Sequence, residues 1–369
     1  MSKGQRTILG LFSSLRRWQT GGVERSGRIA WQGIVEHVGS DHARFCCYEA
    51  RNRSGGDTVK AYHEEHGYQG KIARSKFGAL ALALQQRWRA DTILVWHLHL
   101  LRLIPFFRLP SARVVVFLHG IEAWQRHDWL TRRLLCSVDL FLSNSAYTWQ
   151  RFVACRSSLP AAAHHVVHLG IDSVLAEESA PSGEVPAILM LSRLSRSEDY
   201  KGHREMITAW PRVLAQIPNA ELWIAGQGDL QVDLEAMVRA LRLTHYVRFF
   251  GWVTDEQKAD LLRRCWGFAL PSRAEGFGLV YLEAMRVGRP CLVSSFDAGR
   301  EVVNPPEAGL SVHPHDPLAL TDAICRLLTP SQEWQQWSRQ ARRRYERYFT
   351  AAHFQQRLVE EIWASATAL

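Results

Sequence analysis

Short apolar runs, rich in β-branched and aromatic residues, alternate with helix-period segments along the whole of this chain, and nothing else in the sequence constrains its fold as strongly. In the first half the runs are 7–12, 43–48, 92–97, 113–118, 139–143 and 166–169; in the second they are 187–191, 221–225, 247–250, 267–270, 291–294 and 310–313. Strand–helix alternation of this kind is the sequence form of βαβ units on parallel sheets. Between the two series lies 176–186, rich in Ala, Glu, Ser, Pro and Gly, which reads as a linker. The expectation is an α/β protein of two doubly wound domains. Open α/β sheets bind ligands beyond the carboxyl ends of their strands, so two such sheets facing each other would form a cleft.

Composition narrows the classes further. A chain of 369 residues is long enough for about two domains, and 47% hydrophobic with 22% charged residues is a globular balance. No apolar run approaches the roughly 18–20 residues that span a bilayer. The apolar stretch 8–12 is short and is followed by Arg16 and Arg17, which does not fit a signal peptide. Seven cysteines without a CxxC spacing suit a reducing, cytoplasmic setting. The formal charge of +9 is unevenly spread. Residues 1–180 hold 23 Lys+Arg against 14 Asp+Glu, whereas 181–369 hold 22 of each, so the whole excess sits in the first half.

Four segments carry candidate chemistry. In the first, Glu275-Gly276-Phe277-Gly278-Leu279 follows a predicted strand and opens a helix containing Glu283. The glycines permit a tight turn and close backbone approach, and amides at the helix start face an anion. Eight residues of helix would separate the two carboxylates by roughly 12 Å, too far for a glycosidase pair. Different parts of one long ligand suit them better than a solvated turn Glu and a surface helix Glu. In the second, Arg193 lies just past a strand and Lys201 at a helix start, two cations suited to a diphosphate or, alternatively, to bulk solvent. The third is Gly21-Gly22 after the first strand, a phosphate-approach signal that is weak alone. There is no GxxxxGK[ST] and no GxGxxG, and Gly226-Gln227-Gly228 lacks the third glycine. The fourth is His119-Gly120 at a strand end, placed either to bond a sugar hydroxyl or to serve as a satisfied structural His. Metal is not expected at His97-Leu98-His99, because alternation along a strand would turn the two rings to opposite faces. Nor is it expected at His164, His165 and His168, which lack neighbouring Cys or carboxylate ligands.

Taken together these residues resemble the retaining glycosyltransferases of family 4, which have the GT-B fold. Glu275 and Glu283 match that family's Glu-x7-Glu motif, Arg193 and Lys201 its diphosphate-binding cations, His119 its HGxE-like segment, and Gly21-Gly22 its first loop. Gly170-Ile171-Asp172 is similar to its Asn-Gly-Ile-Asp, with Leu169 in place of the Asn, and 316–320 matches its C-terminal pattern. The resemblance implies an N-terminal acceptor domain over 1–178, a nucleotide-sugar domain over 179–348 and a crossover helix over 349–369 packing on the first domain. It implies a UDP- or GDP-sugar donor and no cofactor or metal. Glu275 and the amides of Gly276, Phe277 and Gly278 would hold the sugar, with the helix start at Leu279 assisting at the diphosphate. Glu283 would hold the ribose, and the backbone near Val253 the base. Arg193 and Lys201 would stabilise the departing diphosphate, and His119 would lie near the transferred sugar.

The acceptor implied is a glycan or lipid-linked glycan in cell-surface polysaccharide or glycoconjugate synthesis. Cations interleaved with aromatic and aliphatic residues at Arg16-Arg17-Trp18, 100–109 and 124–133 suit either peripheral docking on the inner face of the cytoplasmic membrane, or a solvated basic surface over a buried helix. A sugar-nucleotide epimerase or phosphorylase of the same fold, and a non-catalytic nucleotide-sugar-binding partner, are the alternatives. No pattern for nucleic-acid binding accompanies the basic charge.

Overall fold

The computed structural model describes residues 6–15, 21–48, 70–73, 90–107, 111–156, 162–172, 181 and 183–364. The chain divides into two compact units, Met1–Ile171 with Ala351–Leu369, and Asp172–Thr350. The break thus falls ahead of the 176–186 linker, most of which lies outside the described residues.

The first unit is built on seven parallel strands: β1 (Ile8–Phe12), β2 (Ala43–Tyr48), β3 (Gly70–Ala73), β4 (Thr92–Val95), β5 (Arg113–Leu118), β6 (Leu140–Ser143) and β7 (Ala163–Val166). Their order is β3-β2-β1-β4-β5-β6-β7, so the winding reverses between β1 and β4. Its helices are α1 (Gly22–Val38), α2 (Ile104–Phe107), α3 (Ile121–Trp124), α4 (Trp129–Leu135) and α5 (Ala146–Ala154), with a 3₁₀ turn at Leu98–Leu103. Asp128 and Ser145 cap α4 and α5, each accepting an N–H in the first turn. β1 and β4 are buried at every position, the pattern of strands covered on both faces. Trp31 of α1 packs edge-on against Phe12 and Phe45, and Trp96 stacks toward Phe12 and Phe117.

The second unit holds β8 (Ala187–Leu191), β9 (Glu221–Ala225), β10 (Val247–Gly251), β11 (Gly267–Leu270), β12 (Cys291–Ser294) and β13 (Gly309–Val312). All are parallel, in the order β10-β9-β8-β11-β12-β13, and the winding reverses between β8 and β11. Interleaved are α6 (His203–Gln216), α7 (Gln231–Ala240), α8 (Asp255–Arg264), α9 (Leu279–Arg286), α10 (Gly299–Val303), α11 (Pro317–Leu327) and α12 (Gln332–Tyr348), with a 3₁₀ turn at Arg196–Glu198. Trp210, Trp223, Phe268 and Tyr281 are fully buried in its core. The last helix, α13 (Ala351–Ala364), belongs to the first unit. It buries Phe354, Leu358 and Ile362, one stripe at helical spacing, and Gln355 Nε2 donates to the Ile29 carbonyl of α1 at 2.9 Å.

Three sequence expectations change. β3 was not anticipated, because Gly70-Lys71-Ile72-Ala73 is too short and mixed to stand out. β7 lies at 163–166 rather than 166–169; it is an edge strand, so its exposed and half-buried His164 and His165 carry no apolar signature. The strand at 92–97 ends at Val95, and His97 instead caps the 3₁₀ turn. Strand alternation therefore does not separate His97 from His99: their rings stack at 4.7 Å with Nδ1 atoms 3.0 Å apart.

Gly226-Gln227-Gly228 proves to be a packing device. Gly226 has φ +137°, and a Cβ there would lie 1.7 Å from the Ser192 carbonyl oxygen. The Leu194 N–H donates to the Gln227 carbonyl at 3.0 Å, so this loop braces the chain leaving β8. Gly226→Ala is therefore expected to destabilise the second unit by about 2–4 kcal/mol, combining backbone strain with steric overlap. Urea unfolding followed by tryptophan fluorescence would read this; unchanged stability would refute the account.

Candidate active site

Two loops leave the carboxyl ends of β8 and β11, the strands on either side of the winding reversal, where a parallel sheet leaves a crevice for ligand. The β8 loop carries Arg193 and Lys201. One carboxylate joins them: Glu198 pairs with the Arg193 guanidinium through Oε1 and with Lys201 Nζ at 2.6 Å through Oε2. Arg193 is 80% exposed at its side chain, whereas Lys201 and Glu198 are only 14% and 13% exposed. The fork thus lies outside and the point charge inside. Glu198 was not singled out in the sequence.

The β11 loop runs from Pro271 into α9, and Gly278 takes φ +87° to open that helix. Asp297, after β12, holds the loop. Its Oδ2 accepts the Glu275 N–H at 3.2 Å, its Oδ1 accepts the Gly299 N–H at 3.0 Å, and the Ala298 N–H donates to the Glu275 carbonyl at 3.2 Å. Burial, then the neighbouring Glu275 charge, pushes the Asp297 carboxyl well above the usual range. Phe277 is buried and meets Phe349 edge-on, and the Tyr281 hydroxyl donates to the Leu270 carbonyl at 2.7 Å.

The two loops are tied to each other. The Arg273 N–H donates to the Tyr200 carbonyl at 2.9 Å, and its guanidinium reaches the Asp199 carbonyl at 3.1 Å and Glu205 at 3.0 Å. The Tyr200 phenol is pushed up by burial and by the charges of Glu198 and Glu275, so both carboxylates act on one hydroxyl. Farther along α9, Glu283 is buried rather than on the helix surface, and Lys258 of α8 meets its Oε1 at 2.8 Å. Val253 immediately precedes the Thr254 cap of α8. Arg193, Lys201, Glu275, Gly276, Phe277, Gly278, Leu279, Glu283 and Val253 therefore all belong to the second unit, on its β8, β10 and β11 exits.

The remaining candidates lie in the first unit. Gly21 caps α1 and Gly22 begins it. Trp96 connects that turn to His119: its indole N–H donates to the Val23 carbonyl at 3.0 Å, and its ring lies 5.0 Å from the imidazole. His119 is buried, and its Nε2 donates to the Trp96 carbonyl at 2.6 Å, which leaves Nδ1 as the acceptor. Glu122 accepts the N–H groups of His119 at 2.6 Å and Gly120 at 3.2 Å. One ring nitrogen of His119 is thus committed to the protein. Among the described residues, no group of three or more His, Cys, Asp or Glu is arranged to hold a metal ion.

Residues 175–344 match the family model of the glycosyl transferases group 1. The chain is 29% identical over 283 residues to the glycogen synthase of Mycobacterium tuberculosis, covering 71% of this chain and 66%, just under two thirds, of that protein. It is 28% identical over 280 residues to the phosphatidyl-myo-inositol mannosyltransferase of Mycobacterium leprae, covering 71% of each. Anabaena Alr3699/HepE, solved in complex with UDP, superposes with a TM-score of 0.76 at 20% identity, over 97% of this chain and 100% of that one. The family match falls within the second unit, and the chain has a two-unit GT-B architecture.

Burial, with smaller contributions from neighbouring histidines, drives His119 down to about 3 and His97 to about 4, from an ordinary 6.5. Both rings are neutral in the fold, while the unfolded chain binds their protons below pH 6.5. Stability is therefore full above pH 6.5 and falls as pH drops toward about 3. His119→Gln, which can still donate to the Trp96 carbonyl, is expected to flatten the acid side of the near-ultraviolet unfolding profile. An identical acid slope in the variant would contradict the assignment.

Proposed function

We propose that this chain is a retaining glycosyltransferase of family 4. It would transfer a hexose-type sugar from a nucleoside diphosphate-sugar, UDP- or GDP-linked, to a hydroxyl of a glycan or lipid-linked glycan in cell-surface polysaccharide or glycoconjugate synthesis. The observation that carries this reading is the pairing of Arg193 and Lys201 on one carboxylate, one loop away from Glu275.

In this reading the diphosphate takes the place of Glu198 against the two cations, and their charge stabilises the leaving group as the glycosidic bond breaks. The α9 N-terminus behind Gly278 adds its dipole. The positive charge a metal ion would otherwise bring is thus supplied by side chains, so transfer is metal-independent. Glu275, held by Asp297 and Ala298, and the amides of Gly276, Phe277 and Gly278 bind sugar hydroxyls. The acceptor oxygen attacks from the leaving-group face, its proton passing to a departing phosphate oxygen, and anomeric configuration is retained. His119 Nδ1 accepts a hydrogen bond from the sugar or the acceptor. The boundaries proposed for function follow the two units, donor in the second and acceptor in the first.

The acceptor side has a surface to match. Phe106, Trp129 and Leu130 are 46%, 68% and 37% exposed, and Arg102, Arg126, Arg132 and Arg133 around them are exposed too. Arg102 pairs with Asp128, joining the 3₁₀ turn to α4. Leu100, Leu101, Leu103 and Ile104 beneath are buried, so only part of the apolar segment faces outward. Arg16, Arg17, Trp18, Arg108 and Leu109 lie outside the described residues. We propose that this face docks peripherally on an anionic leaflet. Among the described residues no helix is long and apolar enough to cross a membrane.

Lys201→Ala or Glu275→Ala is expected to lower sugar transfer from nucleoside diphosphate-sugars by at least about 100-fold while melting within a few degrees of the parent. Radiolabelled donors tested against membrane-extracted acceptors would measure this, and full transfer by either variant would overturn the mechanism. For the docking face, Trp129→Ala should move the protein from pellet to supernatant when sedimented with phosphatidylglycerol vesicles at low salt. Equal recovery of parent and variant would remove that face from the proposal.

A further inference from the structure

Glu283 is a carboxylate in the middle of a buried helix, and the way it is compensated has a consequence for ligand binding. Its side chain is 4% exposed, and Lys258 Nζ lies 2.8 Å from Oε1. The same ammonium meets Asp255 Oδ1 at 2.9 Å, and the Lys258 side chain is itself only 18% exposed. A buried ion pair contributes little net stability compared with an apolar pair of the same volume. A tie between α8 and α9 alone would not call for one. Keeping a buried carboxylate aimed does call for one, because the ammonium at Oε1 fixes the orientation of the carboxylate plane.

The geometry points to Lys258 as a positioning residue for the ribose of the nucleotide, acting through Glu283. The inference rests on the donor-site reading above. A carboxylate offers about four lone-pair sites, and one ammonium on Oε1 fixes its plane while leaving capacity for sugar hydroxyls. Lys258 is placed by the start of α8, where Thr254 and Gln257 form a reciprocal capping box directly after Val253. The segment assigned to the base and the cation that aims the ribose acceptor therefore move as one piece of backbone. Removing the ammonium takes away the contact that fixes the Glu283 carboxylate plane at Oε1. The cost falls on the ribose hydroxyl contact rather than on the diphosphate.

The test is calorimetric titration of the full chain with UDP, GDP and their 2′-deoxy counterparts. The better-bound ribonucleotide should bind about tenfold more tightly than its 2′-deoxy form, the size of a hydrogen bond to a charged acceptor. In Lys258→Met that preference should shrink to about twofold or less, with ribonucleotide affinity falling to the deoxy level; Lys258→Arg should restore most of it. In a Glu283→Gln background, adding Lys258→Met should change affinity no further. Lys258→Gln and the double variant, which strands no buried charge, carry the comparison if Lys258→Met does not fold. A folded Lys258→Met or Lys258→Gln protein that keeps the full hydroxyl preference overturns the inference. A parent protein with no hydroxyl preference strikes instead at the role of Glu283, and failure to bind either nucleotide removes the donor-site reading itself.

Discussion

One carboxylate organises the loop after β8. Arg193 and Lys201 come from a single irregular loop, and two cations so close would repel if nothing lay between them. Glu198 pairs with both. The price of burying Lys201 is met by that contact, and the loop that carries all three is pinned at its origin by the Gly226–Gly228 segment and along its length by Arg273. The result is a preorganised positive site that already has an anion in it. A ligand that brings two phosphates can replace that anion without the protein having to assemble anything.

The winding of the sheets decides where this site stands. Reversal between β8 and β11 separates the loops that leave those two strands and opens a crevice at their ends. Arg193, Lys201 and Glu275 stand on the loops that leave those two strands. The loop after β11 is shaped by a left-handed glycine at 278, and the turn after β12 grips Glu275 from both sides of its peptide. The first unit repeats the doubly wound plan but uses its edge differently. There the strand ends gather Trp96, His97 and His119 into an aromatic cluster, beside which a surface of exposed aromatics and arginines is displayed. Arg102, Arg126, Arg132 and Arg133 of that surface contribute to the excess positive charge of the first half.

Much of this architecture was legible in the order of residues. Strands such as 113–118 and 187–191 announce themselves because both their faces are buried, and a continuous apolar run is what such burial requires. Gly278 and Glu275 were visible because glycines between a strand and a helix have few other uses. What was not legible depends on contacts between distant segments. Nothing local marks Glu198 as the bridge between two cations, Asp297 as the clamp on Glu275, or Lys258 as the partner of Glu283 across α8 and α9. His97 and His99 were misjudged for a local reason: the strand stops at Val95, and a 3₁₀ turn brings together rings that an extended chain would have parted. Edge strand β7 was placed three residues late, because its exposed and half-buried side chains obey no strong pattern.

The central claim is that the Arg193, Glu198 and Lys201 group is a site for a diphosphate. The most direct measurement is calorimetric titration of the purified chain with a nucleoside, its monophosphate and its diphosphate, for both uridine and guanosine. The account predicts weak or absent binding of the nucleoside and a modest gain for the monophosphate. For one of the two bases the second phosphate should add about tenfold or more, the scale of a charge-assisted pair of contacts. Equal affinity for nucleoside and diphosphate, or heat that does not depend on phosphate number for either base, would contradict it.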